Sequence, residues 1–319
     1  MPDTAEILEI LDERARRREE RRGFFKAALG AAAVGTAATF VTADPAYAQV
    51  PSEADVLNFA LNLEYLEAQF YSFAFSGSGL PANQLTGTGT QGAVTGGRQV
   101  NFTDPVVRQY GREIAADEAA HVAFLRQALG AAAVAQPAIN ISGAANGPFT
   151  AAARAAGVVG PNDAFDPYAS DENFLLGAYI FEDVGVTAYK GGSPFIANKT
   201  FLQAAAGILA VEAYHAAIIR TSLYVKGVQT PALRTAADRI SDARDSLDGG
   251  TDLDQGISPT GSGATAASNI VPTDGDALAF SRSPGQVLNI VYLNRAAVSQ
   301  GGFFPSGVNG SVRTSAASG

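Results

Sequence analysis

Two similar stretches of 13 residues decide the fold: IAADEAAHVAFLR at residues 114–126 and ILAVEAYHAAIIR at residues 208–220. Seven of the 13 aligned positions carry the same residue, so the pair is an internal repeat. Each stretch contains a Glu-x-x-His motif, and together the motifs hold both histidines of the chain. Residues i and i+3 project from one face of a helix, so each motif directs a carboxylate and an imidazole to one point. The four residues are Glu118, His121, Glu212 and His215.

Helical periodicity extends outward from these motifs to four long segments. Ser52, Thr103 and Ser170 are expected to cap the first three, Pro105 fits the first turn of the second, and glycines follow each segment. Each segment of about 20 or more residues reaches roughly 30 Å or more at 1.5 Å per residue. Matched lengths and the internal repeat predict an all-α four-helix bundle of two helix pairs related by an approximate two-fold axis. The predicted helices span about 53–75, 104–129, 171–190 and 199–225.

The connections between the predicted helices are unequal. Residues 76–102, rich in Gly, Thr and Gln, predict an exposed loop. Residues 130–169 predict a long crossover between helices two and three. The bundle domain is placed at 49–228 and is followed by an irregular C-terminal extension at 229–319. Within the extension we expect a short surface helix at 231–246, Gly/Ser-rich loops at 249–275, and a short apolar helix or strand near 285–296.

The N-terminal segment, residues 1–48, has the order of an export signal. A polar region with many arginines ends in RRGFFK at 21–26, an apolar run follows at about 27–41, and Ala46-Tyr47-Ala48 is a cleavage site of small-x-small type. The paired arginines resemble the twin-arginine class, which predicts export to the periplasm or beyond. An uncleaved anchor is the weaker alternative, because the apolar run is shorter than the ~20 residues of a membrane span. After cleavage no stable membrane span is expected.

Composition excludes several classes of function. The chain of 319 residues carries a net charge of −9, and an acidic protein has no electrostatic reason to bind nucleic acid. Without cysteine it has no disulfides, thiolate catalysis or cysteine-bound zinc. With two histidines, any metal site must be rich in oxygen ligands.

The first and third helices supply the remaining oxygen ligands. Each carries a glutamate followed seven residues later by a tyrosine on the same face: Glu64 with Tyr71, and Glu182 with Tyr189. Four carboxylates in an apolar core repel one another unless about two divalent cations neutralise them. The tyrosines are expected to be hydrogen-bond partners that orient ligands, rather than radical sites. The alternative, histidines hydrogen-bonded in a metal-free core, fits the repeat less well. The predicted ligands are Glu64, Glu118, His121, Glu182, Glu212 and His215.

Several charged residues lie beside the predicted ligands. Glu67 lies three residues after Glu64 and is an alternative ligand, although Gly185 takes the equivalent position after Glu182. Two aspartates beside the ligands are expected to face solvent or to cap helices, and two arginines to pair with carboxylates behind the ligands. These are Asp117 and Asp183, and Arg126 and Arg220.

The motifs resemble the ferritin-like superfamily, and bacterioferritin in the order Glu…Tyr, Glu-x-x-His, Glu…Tyr, Glu-x-x-His. More closely, LNLEYLEAQFY, DEAAHVAFLR, FEDVGVTAY and the tail GGFFPSGVNG are similar to the ferritin-like family that includes desiccation-related proteins. The resemblance covers about residues 52–225, and the tail loosely. It implies a ferritin-like bundle and a dinuclear metal site on the six ligands named above. The long loops, signal and extension differ from those of cage-forming ferritins.

Three functions are consistent with such a site. The first is an oxidase with two iron ions, or mixed iron and manganese, that reacts with dioxygen or peroxide and either oxidises ferrous iron or removes peroxide. The second is a manganese catalase with two manganese ions. The third is a non-enzymatic protein that protects an exported compartment during drying or other stress. A homo-oligomer is compatible with all three.

Overall fold

The four-helix bundle predicted from the sequence is confirmed in the computed structural model, which describes residues 51–318. The predicted export signal lies outside these residues. A parallel pair of two-residue strands, β1 (Val94–Thr95) and β2 (Ile139–Asn140), joins the first loop to the crossover, with Val94 opposite Ile139. The helices are α1 (Glu53–Ser76), α2 (Pro105–Leu129), α3 (Pro148–Ala155), α4 (Asp171–Tyr179), α5 (Glu182–Gly192), α6 (Lys199–Gln229), α7 (Ala232–Asp248) and α8 (Pro284–Tyr292); the strands are β1 (Val94–Thr95) and β2 (Ile139–Asn140).

Side-chain caps fix where the first two bundle helices begin. The Ser52 hydroxyl accepts from the Asp55 backbone N–H, and the Asp55 carboxylate accepts from the Ser52 N–H at 2.9 Å, a reciprocal capping box. At the start of α2 the cap is Asp104, which accepts from the Val106 N–H at 2.9 Å. The prediction of Thr103 as the cap was wrong by one residue, because its hydroxyl donates to Asp171 instead.

The third bundle helix is broken, which the sequence analysis did not predict. It ends as α4 at Tyr179 and resumes as α5 at Glu182, with Ile180 and Phe181 in a turn between them. The Tyr179 carbonyl accepts a hydrogen bond from the buried Arg244 of α7 rather than from the helix. A side chain that takes a carbonyl out of the helical ladder is a recognised cause of a helix break.

The C-terminal extension packs against one of the two helix pairs of the bundle. α1 packs along α2 and α5 along α6, and the two pairs meet through α1 with α5 and α2 with α6. The C-terminal extension covers the pair α5 and α6: α7 packs on α4 and α6, and α8 packs on α5 and α7. Phe303 from the tail is fully buried within its own chain, with ring centroids 5.0 Å from Phe149 and 4.9 Å from Phe181. The predicted surface helix at 231–246, now α7, is therefore half buried.

Buried ion pairs join the extension to α5. Asp183 accepts from Arg220 and from Arg244, each at 2.8 Å. Arg244 also donates to Asp254, which accepts from Arg282 at 3.0 Å. The expectation that Asp183 faces solvent was wrong, because two guanidinium groups make its burial favourable. The expectation that Arg220 pairs with a carboxylate behind the ligands was correct.

Arg126 behaves differently from its counterpart Arg220. It donates to the Tyr65 hydroxyl and to the Thr86 carbonyl. The expectation that Arg126 pairs with a carboxylate was wrong. Loop 76–102 folds back over the end of α2 and offers carbonyl oxygens to the guanidinium group instead.

One described helix, α6, is long and apolar enough to cross a membrane by length and composition alone. The sequence predicts this helix as part of the bundle, and no membrane span was expected there. In the fold it is the fourth bundle helix, and its Glu212 and His215 face inward among the other three.

Candidate metal centre

The structure brings all six predicted ligands together at the centre of the bundle. α1 contributes one glutamate, α5 another, and α2 and α6 each contribute a Glu-x-x-His pair from one helical face. All six are buried. They form two groups in which one ligand atom per residue lies within 4.8 Å of every other: Glu64, Glu118, His121 and Glu212 in the first, and Glu182, Glu212 and His215 in the second.

Two glutamates lie between the groups. Glu212 belongs to both. Glu118 has Oε2 at 3.6 Å from Nδ1 of His121 and Oε1 at 3.0 Å from Nδ1 of His215. Each carboxylate thus has an oxygen available to either side, as a bridging ligand of a dinuclear centre requires.

Many polar atoms of the cluster lack hydrogen bonds. Within residues 51–318, both carboxylate oxygens of Glu118 and of Glu212, one oxygen of Glu182 and Nδ1 of His215 have no hydrogen-bond partner. His215 and Glu118 are close, but their geometry is not that of a hydrogen bond. An unsatisfied buried polar atom costs about 1–3 kcal/mol, and more when charged. The donor set of carboxylate oxygens and imidazole nitrogens therefore fits metal ions such as iron or manganese.

The pKa values of the clustered side chains also show that the carboxylates need positive charge nearby to stay ionised. Burial, and then repulsion among the carboxylates, raises the pKa of Glu118 and of Glu212 well above its usual range. Burial raises the pKa of Glu182 to about 8, against the opposing effect of a hydrogen bond from Tyr71. Burial lowers the pKa of His215, which favours the neutral imidazole that binds metal.

The two tyrosines bond across the bundle. The Tyr71 hydroxyl on α1 donates to Glu182 on α5, and the Tyr189 hydroxyl on α5 donates to Glu64 on α1. The sequence placed each tyrosine on the same face as the glutamate of its own helix, but the hydrogen bonds are exchanged between the helices. This crossed pattern preserves the approximate two-fold relation.

Sequence reasoning missed the role of Asp117. Its carboxylate lies 3.2 Å from Nε2 of His215, and its side chain is half-exposed. Since an ionised carboxylate only accepts, this contact favours the His215 tautomer with its proton on Nε2, which directs the Nδ1 lone pair at the cluster. The repeat could not reveal this contact, because Val211 takes the equivalent position on α6.

Glu67 lies beside the cluster rather than within either group of ligand atoms. It is buried, and in the described part of the chain its Oε1 has no hydrogen-bond partner. Burial, followed by the charges of Glu182 and Glu64, raises its pKa well above the usual range.

The fold and the cluster define the ferritin-like class: a four-helix bundle with two Glu-x-x-His motifs and two further inward glutamates. The ferritin-like domain family matches residues 52–225, more than half of the chain. The chain therefore belongs to the ferritin-like family, in the group that includes the desiccation-related proteins.

Two named relatives match nearly the whole length. The chain is 31% identical over 271 residues to the ferritin-like catalase Nec2 of Nesocodon mauritianus, which covers 82% of this chain and 85% of that protein. It is 30% identical over 269 residues to the desiccation-related protein PCC13-62 of Craterostigma plantagineum, with 81% and 83% covered. No solved structure matches the chain.

Proposed function

We propose that this protein binds two iron or manganese ions between Glu64, Glu118, His121, Glu182, Glu212 and His215, and that the centre removes peroxide as a stress-protective activity. The observation that carries the proposal is the set of buried, unbonded carboxylate oxygens on Glu118 and Glu212 facing both imidazoles. Two redox-active ions held by these six residues would supply the electron exchange by which two hydrogen peroxide molecules become two water molecules and one dioxygen.

The chain's own residues prepare the centre for this chemistry. Four carboxylates balance the charge of about two divalent ions. Asp117 keeps His215 in the tautomer that presents Nδ1. Tyr71 and Tyr189 fix the carboxylate orientation from the opposite helix. The surrounding apolar side chains of α1 and α5 exclude bulk water.

The relative named ferritin-like catalase supports peroxide as the substrate. The ligand set itself supports a second candidate, oxidation of ferrous iron by dioxygen, because carboxylate-rich centres with one histidine per metal suit iron. We further propose export by the twin-arginine route to the periplasm or beyond, on the order of residues 21–48.

The test begins with the full chain produced with its own N-terminal segment. The mass of the purified protein and its cell fraction report cleavage and export. Elemental analysis after loading with ferrous iron or manganese then counts bound ions per chain. An oxygen electrode finally distinguishes the two activities. Peroxide removal releases dioxygen, whereas iron oxidation consumes it.

A matched pair of variants makes the count specific. Glu212→Gln removes one charge between the two groups, whereas Glu172→Gln makes the same change at a half-exposed pair with Lys226. About two ions per chain, lost only in Glu212→Gln, together with dioxygen release, supports the proposal. Uptake of dioxygen with iron favours the second candidate. Bound metal that raises the melting temperature without turnover contradicts both activities and indicates a structural role, and failure to retain metal refutes the centre itself.

A further inference from the structure

A small cavity lies between α1, the turn that separates α4 from α5, and α8. Its volume is about 20 Å³, and its lining includes Leu63, Glu67, Ile180, Val184, Gly185 and Val291. A cavity of roughly 10–15 Å³ on the same scale holds one water. The cavity therefore admits one water-sized molecule at a time.

Gly185 connects the lining of the cavity with the metal centre. A Cβ on this residue would lie 2.3 Å from Oε2 of Glu212, so the missing side chain leaves room for that carboxylate. Gly185 thus has the cavity on one side and a candidate bridging ligand on the other. The helix break at Ile180 and Phe181 interrupts the wall at the same level.

Glu67 gives the cavity its chemical character. Among the described residues that line it, Glu67 alone has a polar side chain, and the other walls are aliphatic, aromatic or glycine. Glu67 is 4% exposed, and its Oε1 has no hydrogen-bond partner within residues 51–318. A free oxygen between apolar walls suits a small neutral molecule that donates a hydrogen bond. Hydrogen peroxide has two such O–H groups and dioxygen has none, while the surrounding carboxylates repel small anions.

We propose that this cavity is the opening through which hydrogen peroxide reaches the metal centre, and that Glu67 binds the peroxide on its way in. The inference rests on the proposed function. Glu67 acts here as a positioning residue between solvent and the ligands. Val291, which belongs to the C-terminal extension, is part of the lining, so the extension helps to set the width of the cavity.

A second cavity of equal volume provides the control. It also measures about 20 Å³ and lies farther along α1 and α5, with Val56, Ala60 and Tyr189 in its lining. None of the described residues that line it has a carboxylate side chain. Enlarging Val56 and enlarging Val291 are therefore the same change at two similar cavities, only one of which contains Glu67.

The experiment measures access separately from turnover. The full chain is loaded anaerobically with ferrous iron, its metal content is checked, and stopped-flow absorbance follows two reactions. One is the binding of nitric oxide, a small neutral probe that donates no hydrogen bond; the other is the reaction with hydrogen peroxide. Val291→Phe should slow both by about tenfold, equal to about 1.4 kcal/mol of barrier, and Val56→Phe should slow neither. Val291→Ile, which adds one methylene, serves if the larger side chain prevents folding.

Variants of Glu67 test the hydrogen bond. Glu67→Leu should slow the peroxide reaction by about tenfold and leave nitric oxide binding unchanged, whereas Glu67→Gln keeps an oxygen and should retain most of the rate. Equal slowing by Val56→Phe and Val291→Phe, or no slowing by either, would overturn the proposed opening. Loss of metal in Glu67→Leu would make Glu67 a ligand and would overturn its role on the path. A protein that binds metal and nitric oxide but does not consume peroxide refutes the proposed function, while the nitric oxide rates still locate the opening.

Discussion

Replacing Tyr71 with phenylalanine isolates one hydrogen bond to the candidate centre. Within the described residues, the Tyr71 hydroxyl is the sole hydrogen-bond donor to Glu182, whose second oxygen has no partner. The substitution therefore leaves this carboxylate without any hydrogen bond to hold it toward the metal. Glu64 accepts the matching hydrogen bond from Tyr189, and its other contact, at 3.2 Å, is with Nδ1 of His121, which faces the same group of predicted ligands.

The magnitude follows from the energy of the hydrogen bond that is lost. A hydrogen bond to a charged group contributes about 1.5–3 kcal/mol. At about 1.4 kcal/mol per tenfold, Tyr71→Phe should weaken metal binding by one to two orders of magnitude. Tyr189→Phe should weaken it by a similar factor, because Nδ1 of His121 cannot donate a hydrogen bond to Glu64 once that nitrogen binds metal. Loss of an orienting hydrogen bond typically weakens metal binding by about 10–100-fold, which agrees with this expectation.

Calorimetric titration of metal-free protein with ferrous iron or manganese, against a competing chelator, measures the affinity. Tyr65→Phe is the matched control, since Tyr65 is equally buried on the same helix but donates to the carbonyls of Gln84 and Val134. If Tyr71→Phe binds metal as tightly as Tyr65→Phe does, the Tyr71 hydrogen bond does not orient a ligand and the reasoning fails.

Three further predictions concern stability and metal content. Burial raises the pKa of Glu182 from 4.5 to about 8, so between these pH values the folded protein without metal keeps a proton that the unfolded chain has lost. Its melting temperature, measured by scanning fluorimetry, should therefore fall as the pH rises from about 4.5 to 8. The melting temperature of the metal-loaded protein should rise over the same range, because metal binds the deprotonated carboxylate. Asp183→Asn leaves a buried guanidinium without its carboxylate and should lower the free energy of unfolding by about 3–5 kcal/mol. Chemical denaturation checks this value against the exposed Glu172→Gln, which should cost less than about 1 kcal/mol. Gly185→Ala should displace the Glu212 carboxylate and lower the metal count, whereas Gly207→Ala, whose added methyl would meet nothing within 4 Å, should leave the count from elemental analysis unchanged.

The sequence was sufficient to predict the bundle and the convergence of six side chains, because both depend on local periodicity. A Glu-x-x-His motif specifies its own helical face, and the repeat specifies a second copy of it. The two tyrosines could be placed on the correct face for the same reason. Their glutamate partners could not be assigned, because the choice between a carboxylate on the same helix and one on the opposite helix depends on how α1 and α5 pack.

Contacts between distant parts of the chain account for what the sequence analysis did not predict. The break between α4 and α5 depends on Arg244, which lies some 65 residues later and takes the Tyr179 carbonyl. The burial of Asp183 was not predicted, because the two guanidinium groups that pair with it come from α6 and α7, which are distant in the sequence. Asp117 has no counterpart in the repeat, so its contact with His215 follows only from the packing of α2 against α6.

The crossed bonds between Tyr71 and Glu182, and between Tyr189 and Glu64, have a consequence for modularity. Each half of the internal duplication contains a glutamate whose orienting hydroxyl resides in the other half. Neither half is therefore a self-sufficient metal-binding module. A shorter chain with a single helix pair would regain these bonds only by associating with a second copy about a two-fold axis, so joining the halves in one polypeptide makes the centre independent of protein concentration.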